Sequence, residues 1–273
     1  MSCVRCDGTG FQIVSEDGRE FARPCACRRA GSEALAEDAF LASSRIPRRY
    51  ELCSLANFDP YTPSHRSALE KALRYCSGFP HSGSDEGLGL LFTGGNGVGK
   101  THLAVAVLRE LVQTGAAMGQ FWDFQELIRE IKSSYDTETR TTELQVLEPV
   151  VECDVLLLDD LGGWRMTDWM HDTLFYLLNS RYVAKRPTLI TTNFHDASAE
   201  EVRAAEPNAR REFFVERIGH RLRSRLMEMC LVVRIEGDDF RLSRQKANRL
   251  AVLGSAQDVA EEGKAPRARS RAR

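Results

Sequence analysis

The segment Leu88-Gly-Leu-Leu-Phe-Thr-Gly-Gly-Asn-Gly-Val-Gly-Lys-Thr101 joins a short apolar run to a glycine-rich loop that satisfies GxxxxGK[ST] over Gly94–Thr101. The run reads as a buried strand. The residues that follow, HLAVAVLRELVQTG, have helical periodicity and a glycine stop. Strand, loop and helix in that order form the context of a phosphate-binding loop. Gly94, Gly95, Gly97 and Gly99, with Asn96 and Val98 between them, let backbone N–H groups curl around phosphate. The helix N-terminus adds a favourable dipole. Lys100 is expected to reach the β- and γ-phosphates of ATP, and Thr101 to place its hydroxyl on Mg²⁺.

Further along the chain, Asp154-Val-Leu-Leu-Leu-Asp159-Asp160-Leu-Gly162 reads as a second buried parallel strand ending in acids. An acid at that end of a parallel strand meets the ligand. Asp159 is the candidate to orient Mg²⁺ through water. Asp160 is the candidate to polarise the attacking water, although it is one methylene shorter than the glutamate common there. A third strand, Pro187-Thr-Leu-Ile-Thr-Thr-Asn193, brings Asn193 toward the γ-phosphate or the water. The helix expected near Glu212–Met229 carries Arg217, Arg221, Arg223 and Arg225. Spacings of four predict that Arg217, Arg221 and Arg225 share one face. That face is either solvated or completes a neighbour's ATP site, and spacing alone leaves both open.

The chain has 273 residues, 42% hydrophobic and 28% charged, with a formal net charge of -2. This is an ordinary globular composition, which excludes wholesale disorder. No apolar run approaches the roughly 18 residues of a membrane span, and no apolar leader follows the N-terminus, so a cytoplasmic protein is expected. The small net charge hides an asymmetry. Residues 210–273 hold 16 Lys and Arg against 9 Asp and Glu, whereas residues 1–209 hold 21 against 30. An acidic body is thus followed by a basic arginine region and a tail, Gly254–Arg273, expected to be disordered and to touch nucleic acid weakly.

Four of the eight cysteines crowd the N-terminus. Cys3 and Cys6 form a CxxC pair, Cys25 and Cys27 a CxC pair, and together they offer four thiolates to one Zn²⁺. Between them GTGFQIVSEDGREFARP reads as a hairpin turning at Asp17-Gly18, which would return the second pair to the first. A module of this size cannot bury a core, so metal would supply its folding energy. Cys3-Val-Arg-Cys6-Asp-Gly-Thr-Gly10 also resembles the CxxCxGxG repeat of DnaJ-type zinc domains, over eight residues only. The expected organisation is a zinc knuckle over 1–31, a linker over 32–60 containing a short helix in SEALAEDAFLASS, an ATPase domain over 61–250 and the tail over 251–273.

The array GGNGVGKTHLA, DVLLLDDLG, LITTN and RIGHRLRSRLMEMC, with the lead-in IPRRY and ANF, resembles the DnaC/DnaI/IstB branch of the AAA+ ATPases over roughly Ile46–Arg249. The resemblance implies an α/β fold with a five-stranded parallel sheet and a curtailed lid. It further implies an ATPase that binds single-stranded DNA and self-associates with ATP while loading a DnaB-type replicative hexameric helicase, or one that assists a transposase. Gly94–Thr101 then match Walker A, Asp159 and Asp160 Walker B, and Asn193 sensor 1. Arg225 best matches the arginine finger, with Arg221 next, and Arg241 matches sensor 2. QFWDF and ELIREIKSSYD resemble the second strand and the helical insertion, where Arg129, Lys132, Ser133 and Tyr135 would meet DNA. A nucleotide-dependent adaptor with little hydrolysis is the alternative that Asp160 keeps open.

Overall fold

The computed structural model describes residues 43–135, 142–196, 204 and 213–242, together with the backbone strands β1 (Phe11–Glu16) and β2 (Arg19–Pro24). These two strands pair antiparallel with Glu16 opposite Arg19; the expected turn at Asp17-Gly18 lies outside the described residues. The four zinc-candidate cysteines Cys3, Cys6, Cys25 and Cys27 lie outside the described residues, as do nearly all of the helix expected over 32–44 and the tail over 251–273.

The remaining elements, in chain order, are α1 (Pro63–Ser77), β3 (Gly89–Thr93), α2 (Lys100–Gln113), β4 (Gly119–Asp123) and α3 (Phe124–Ser133). They continue with α4 (Glu143–Glu152), β5 (Val155–Asp159), α5 (Asp168–Val183), β6 (Thr188–Thr192), α6 (Phe214–Ile218), α7 (His220–Met229) and β7 (Cys230–Arg234). Strands β3 to β7 form the expected five-stranded parallel sheet in the order β4-β5-β6-β3-β7. β3, β5 and β6 are buried along their whole length, which explains their near-continuous apolar reading.

Alternate side chains of each strand enter two different cores. Leu90, Phe92, Val155, Leu157 and Leu189 pack with α1 and α2 on one face. Leu91, Leu156, Leu158 and Ile190 pack with α3, α4, α5, α6 and α7 on the other. Residues 46–58, placed in the linker from sequence, belong to the first core: Ile46, Cys53, Leu55 and Phe58 are buried against it. The short 3₁₀ turn Arg48–Tyr50 follows Pro47 and carries this segment along the domain. Their apolar residues are irregularly spaced because the segment is neither helix nor strand, so periodicity gave no sign of burial.

The expected single arginine helix is two helices. Gly219 takes φ 80 and ψ 158, outside the helical region, and separates α6 from α7. Arg217 therefore leaves the stripe that Arg221 and Arg225 continue, because a 3.6-residue period holds only along an unbroken helix.

At the opposite end of the sheet from the strand C-termini, the Arg181 side chain of α5 is fully buried, with 0% exposure. Its Nη1 donates to the carbonyls of Val150, Val151 and Cys153 at 3.1, 3.0 and 2.8 Å. Its Nη2 donates to those of Asp154 and Pro187, and Nε to the Thr188 hydroxyl at 3.0 Å. One guanidinium thus ties the end of α4 to the starts of β5 and β6. Removing it orphans a set of buried acceptors. Arg181→Leu is expected to cost about 3–5 kcal/mol in urea unfolding, with the m-value unchanged. A loss below about 1 kcal/mol would show that the acceptors find other partners.

Candidate functional site

Because every strand of the sheet is parallel, Thr93, Asp123, Asp159 and Thr192 end at the same edge. The chain enters at β3, crosses to the far edge at β4 and works back, so β3 lies at the topological switch point where α/β sheets bind ligands. There a cavity of about 450 Å³ is lined by the P-loop from Asn96 to Thr101, by Asp123, Asp159, Asp160, Thr191 and Asn193, and by Phe240 and Arg241. Tyr50, Asn57, Phe58 and Tyr61 close it on the side of the N-terminal segment.

The start of α2 is built to receive an anion. α1, α3, α4 and α5 begin with side-chain caps from Thr62, Asp123, Thr142 and Thr167. α2 begins at Gly99 with φ 98 and no side-chain cap. Its first N–H groups consequently remain for a ligand. A β-carbon on Gly99 would lie 2.9 Å from the Phe58 ring, so the loop needs glycine both for its backbone and for this close packing. At Gly97 (φ 71) the same space is filled by the Asp239 carboxylate, and the Phe240 N–H donates to the Gly97 carbonyl at 3.2 Å. The segment after β7 thereby lies against the P-loop and carries Arg241 to the cavity.

Lys100 is buried, and its ammonium donates to the Gly95 carbonyl at 2.5 Å. Burial pushes its pKa down to about 8, opposed by the nearby Asp159 and Asp160 carboxylates. The Thr101 hydroxyl donates to Asp159 Oδ1 at 2.9 Å, and the Thr191 hydroxyl donates to the same oxygen at 2.5 Å. Asp159 is only 7% exposed. Burial raises its pKa, while the hydrogen bonds from Thr191 and Thr101 pull it back. A hydroxyl and a carboxylate in contact are hard oxygen donors, the set a Mg²⁺ ion uses when substrate phosphates and water supply its other ligands. The P-loop, Thr101 and Asp159 therefore fit a nucleoside triphosphate with Mg²⁺.

Asp160 takes φ 55, a left-handed conformation that aspartate tolerates better than most residues. Its N–H donates to the Thr191 hydroxyl at 3.0 Å, and its carboxylate accepts from Asn193 Nδ2 at 2.6 Å. The same carboxylate fills the space over the Gly163 α-carbon, where a β-carbon would come within 2.4 Å of Oδ2. Burial and the neighbouring Asp159 charge both raise its pKa. Asp160 and Asn193 are thus brought together at the rim of the phosphate cradle.

Not every candidate converges here. Within this chain Arg225 lies over the Tyr182 ring at 4.1 Å and Arg221 over Phe175 at 4.6 Å, away from the cavity lining. Arg129 and Lys132 lie over the rings of Trp164 and Trp169, which follow β5. Asp123 was missed from sequence. It is the register partner of Asp159, and its signal was an acid ending the apolar strand GQFWD. Its carboxylate caps α3 through the N–H groups of Gln125 and Glu126.

Comparison with known proteins agrees with this geometry. The sequence profile of the IstB-like ATP binding proteins matches residues 84–248. The replicative helicase loader DnaI of Bacillus subtilis is 24% identical over 218 residues, covering 80% of this chain and 67% of DnaI. An uncharacterized protein of the same organism, YqaM, is 25% identical over 241 residues, 85% of this chain and 69% of YqaM. The crystal structure of the DnaC helicase loader superposes with a TM-score of 0.58 at 32% identity, over 70% of this chain and all of that one.

Proposed function

The chain belongs to the family of IstB-like ATP-binding proteins, and on that premise we propose that it hydrolyses ATP to govern its own assembly while loading a replicative ring helicase onto single-stranded DNA. The observation that carries hydrolysis is the Asp160 carboxylate, held by Asn193 at 2.6 Å beside the phosphate cradle. In this reading the P-loop N–H groups and Lys100 hold the phosphates, and Thr101 and Asp159 hold Mg²⁺, which supplies charge stabilisation to phosphoryl transfer. Asp160 takes a proton from water that Asn193 helps to orient. Arg241 contributes positive charge from the segment after β7. Arg225 of one copy completes the site of the next, since its own site lacks it.

The helicase partner is supported by the similarity to DnaI and DnaC, which are helicase loaders. DNA binding is supported by a surface of aromatic rings and cations. Trp164 and Tyr135 are 50% and 53% exposed, Tyr135 meets Trp169 edge-on at 6.1 Å, and Arg129 and Lys132 lie over the two tryptophans. Exposed rings beside phosphate-binding cations are what unpaired bases stack on. A second reading, implied by the resemblance to IstB-type proteins, is that the partner is a transposase. At the N-terminus, Zn²⁺ on Cys3, Cys6, Cys25 and Cys27 would brace the β1–β2 hairpin, whose antiparallel register supports this proposal.

In a pull-down with the replicative helicase, the chain is expected to hold the helicase with ATP and release it with ADP. Asp160→Asn should lower turnover by about tenfold or more while keeping ATP affinity. Equal turnover in wild type and Asp160→Asn would instead mark a nucleotide-dependent adaptor, and capture of a transposase in place of the helicase would select the second reading. Trp164→Ala combined with Tyr135→Ala is expected to weaken single-stranded DNA binding at least about fivefold by fluorescence anisotropy. Unchanged affinity would place the DNA elsewhere. Metal analysis of reduced, freshly purified full chain should find one equivalent of zinc, and a quadruple Cys→Ser variant none. A zinc-free wild type would remove the knuckle.

A further inference from the structure

Arg217, Arg221 and Arg225 are each seated on an aromatic ring. The guanidinium carbons lie 4.4, 4.6 and 4.1 Å from the ring centroids of Phe194, Phe175 and Tyr182. Arg223, between them in sequence, instead forms a two-pronged ion pair with Asp196, its Nη2 donating to Oδ2 at 2.9 Å. Among the described residues no carboxylate lies within ion-pair distance of the three ring-seated arginines. The difference has a chemical consequence. An ion pair occupies the guanidinium's N–H donors, whereas a ring takes its face and leaves edge donors for another anion; of the three, Arg217 has its Nε buried, and Arg225 also meets the Tyr182 hydroxyl.

Helix geometry sets these pairs. On α5, Phe175 and Tyr182 are seven residues apart and so lie on one stripe, while on α7 Arg221 and Arg225 are four apart. The neighbouring stripe of α7, Leu222, Leu226 and Met229, is buried in the second core with Leu174 and Leu178 of α5 and fixes the helix against it. Glu228, the acid one turn beyond Arg225, accepts the Tyr182 hydroxyl. The carboxylate that would otherwise compete for Arg225 is therefore engaged in holding its platform.

We propose that Tyr182 is a positioning residue for Arg225. Its ring sets the plane of the guanidinium, Glu228 sets the ring, and the arginine is presented, already ordered, to a phosphate carried by a second copy of this chain. The proposal rests on the reading of Arg225 as the trans-acting arginine. Ordering a long side chain before the copies meet removes an entropic cost that assembly would otherwise carry. A seat of this kind at a half-buried site contributes a few-fold, less than the arginine itself.

The test compares the full chain with its variants Tyr182→Leu, Tyr182→Phe, Arg225→Ala and the double variant Tyr182→Leu/Arg225→Ala, in steady-state ATP turnover at a concentration where wild type self-associates. Tyr182→Leu is expected to lower kcat about three- to fivefold, leaving KM for ATP and the Tm of the nucleotide-free chain near wild type. Tyr182→Phe, which keeps the ring but loses the hydrogen bond to Glu228, should lower the rate only about twofold, as should Glu228→Ala, which breaks the same bond. Arg225→Ala should fall at least about tenfold, and adding Tyr182→Leu to it should change nothing further. A wild-type kcat in Tyr182→Leu, or an equal loss with and without Arg225, overturns the positioning role while the arginine's own role stands. Wild-type turnover in Arg225→Ala overturns the underlying reading instead. If Tyr182→Leu lowers Tm by more than about 5 °C, Glu228→Ala replaces it. That variant leaves the ring in the fold, and an unchanged kcat then counts against the proposal.

Discussion

The Asp159 carboxylate, buried at the end of a parallel strand, is the constraint around which the rest of the site is arranged. Burying a charge is costly unless donors meet it. Here two threonine hydroxyls do so, Thr101 at the start of α2 and Thr191 near the end of β6. One oxygen thereby joins the P-loop helix to two adjacent strands. Thr191 also accepts the N–H of Asp160, so the same residue that steadies the first acid fixes the backbone of the second. The spacing between phosphate cradle, metal-oriented oxygens and the Asp160–Asn193 pair follows from that shared junction rather than from any loop alone.

The consequence for chemistry is a division of labour along one sheet edge. α2 leaves its N-terminal donors uncapped, in contrast to the four helices capped by threonine or aspartate. Asp160 fits because it is short: its backbone is left-handed and its carboxylate already fills the space above Gly163. A glutamate would have to find another route past Gly163 to reach the same rim. The departure from the usual glutamate thus has a local steric reason and is compatible with a working base.

How much was legible in sequence depended on whether a residue's environment leaves a periodic or spacing signal. The buried parallel strands did, because an apolar run ending in acid is what burial on both faces requires. The P-loop did, because its glycines and lysine have fixed offsets. Residues 46–58 did not, since an irregular segment can be buried without any period. Arg181 was illegible for a related reason: a charged residue in a helix reads as surface, and only the carbonyl ends of α4, β5 and β6 around it explain its burial. The arginine helix was read as continuous because a single glycine is compatible with a helix, and spacing does not reveal that Gly219 uses its freedom to take a positive φ of 80. Asp123 gave a weak sign, an acid after an apolar strand, whose importance appears only when β4 pairs with β5.

On the proposed reading, this ATP site is incomplete in a single copy and is finished by an arginine from the next, so that nucleotide state governs assembly. Sedimentation velocity of the full chain at fixed protein concentration, with Mg²⁺ and either a non-hydrolysable ATP analogue or ADP, tests this most directly. A concentration-dependent larger species is expected with the analogue and a predominantly single-copy species with ADP. The same sedimentation coefficient in both nucleotides, across the concentration range at which each is bound, would contradict that reading.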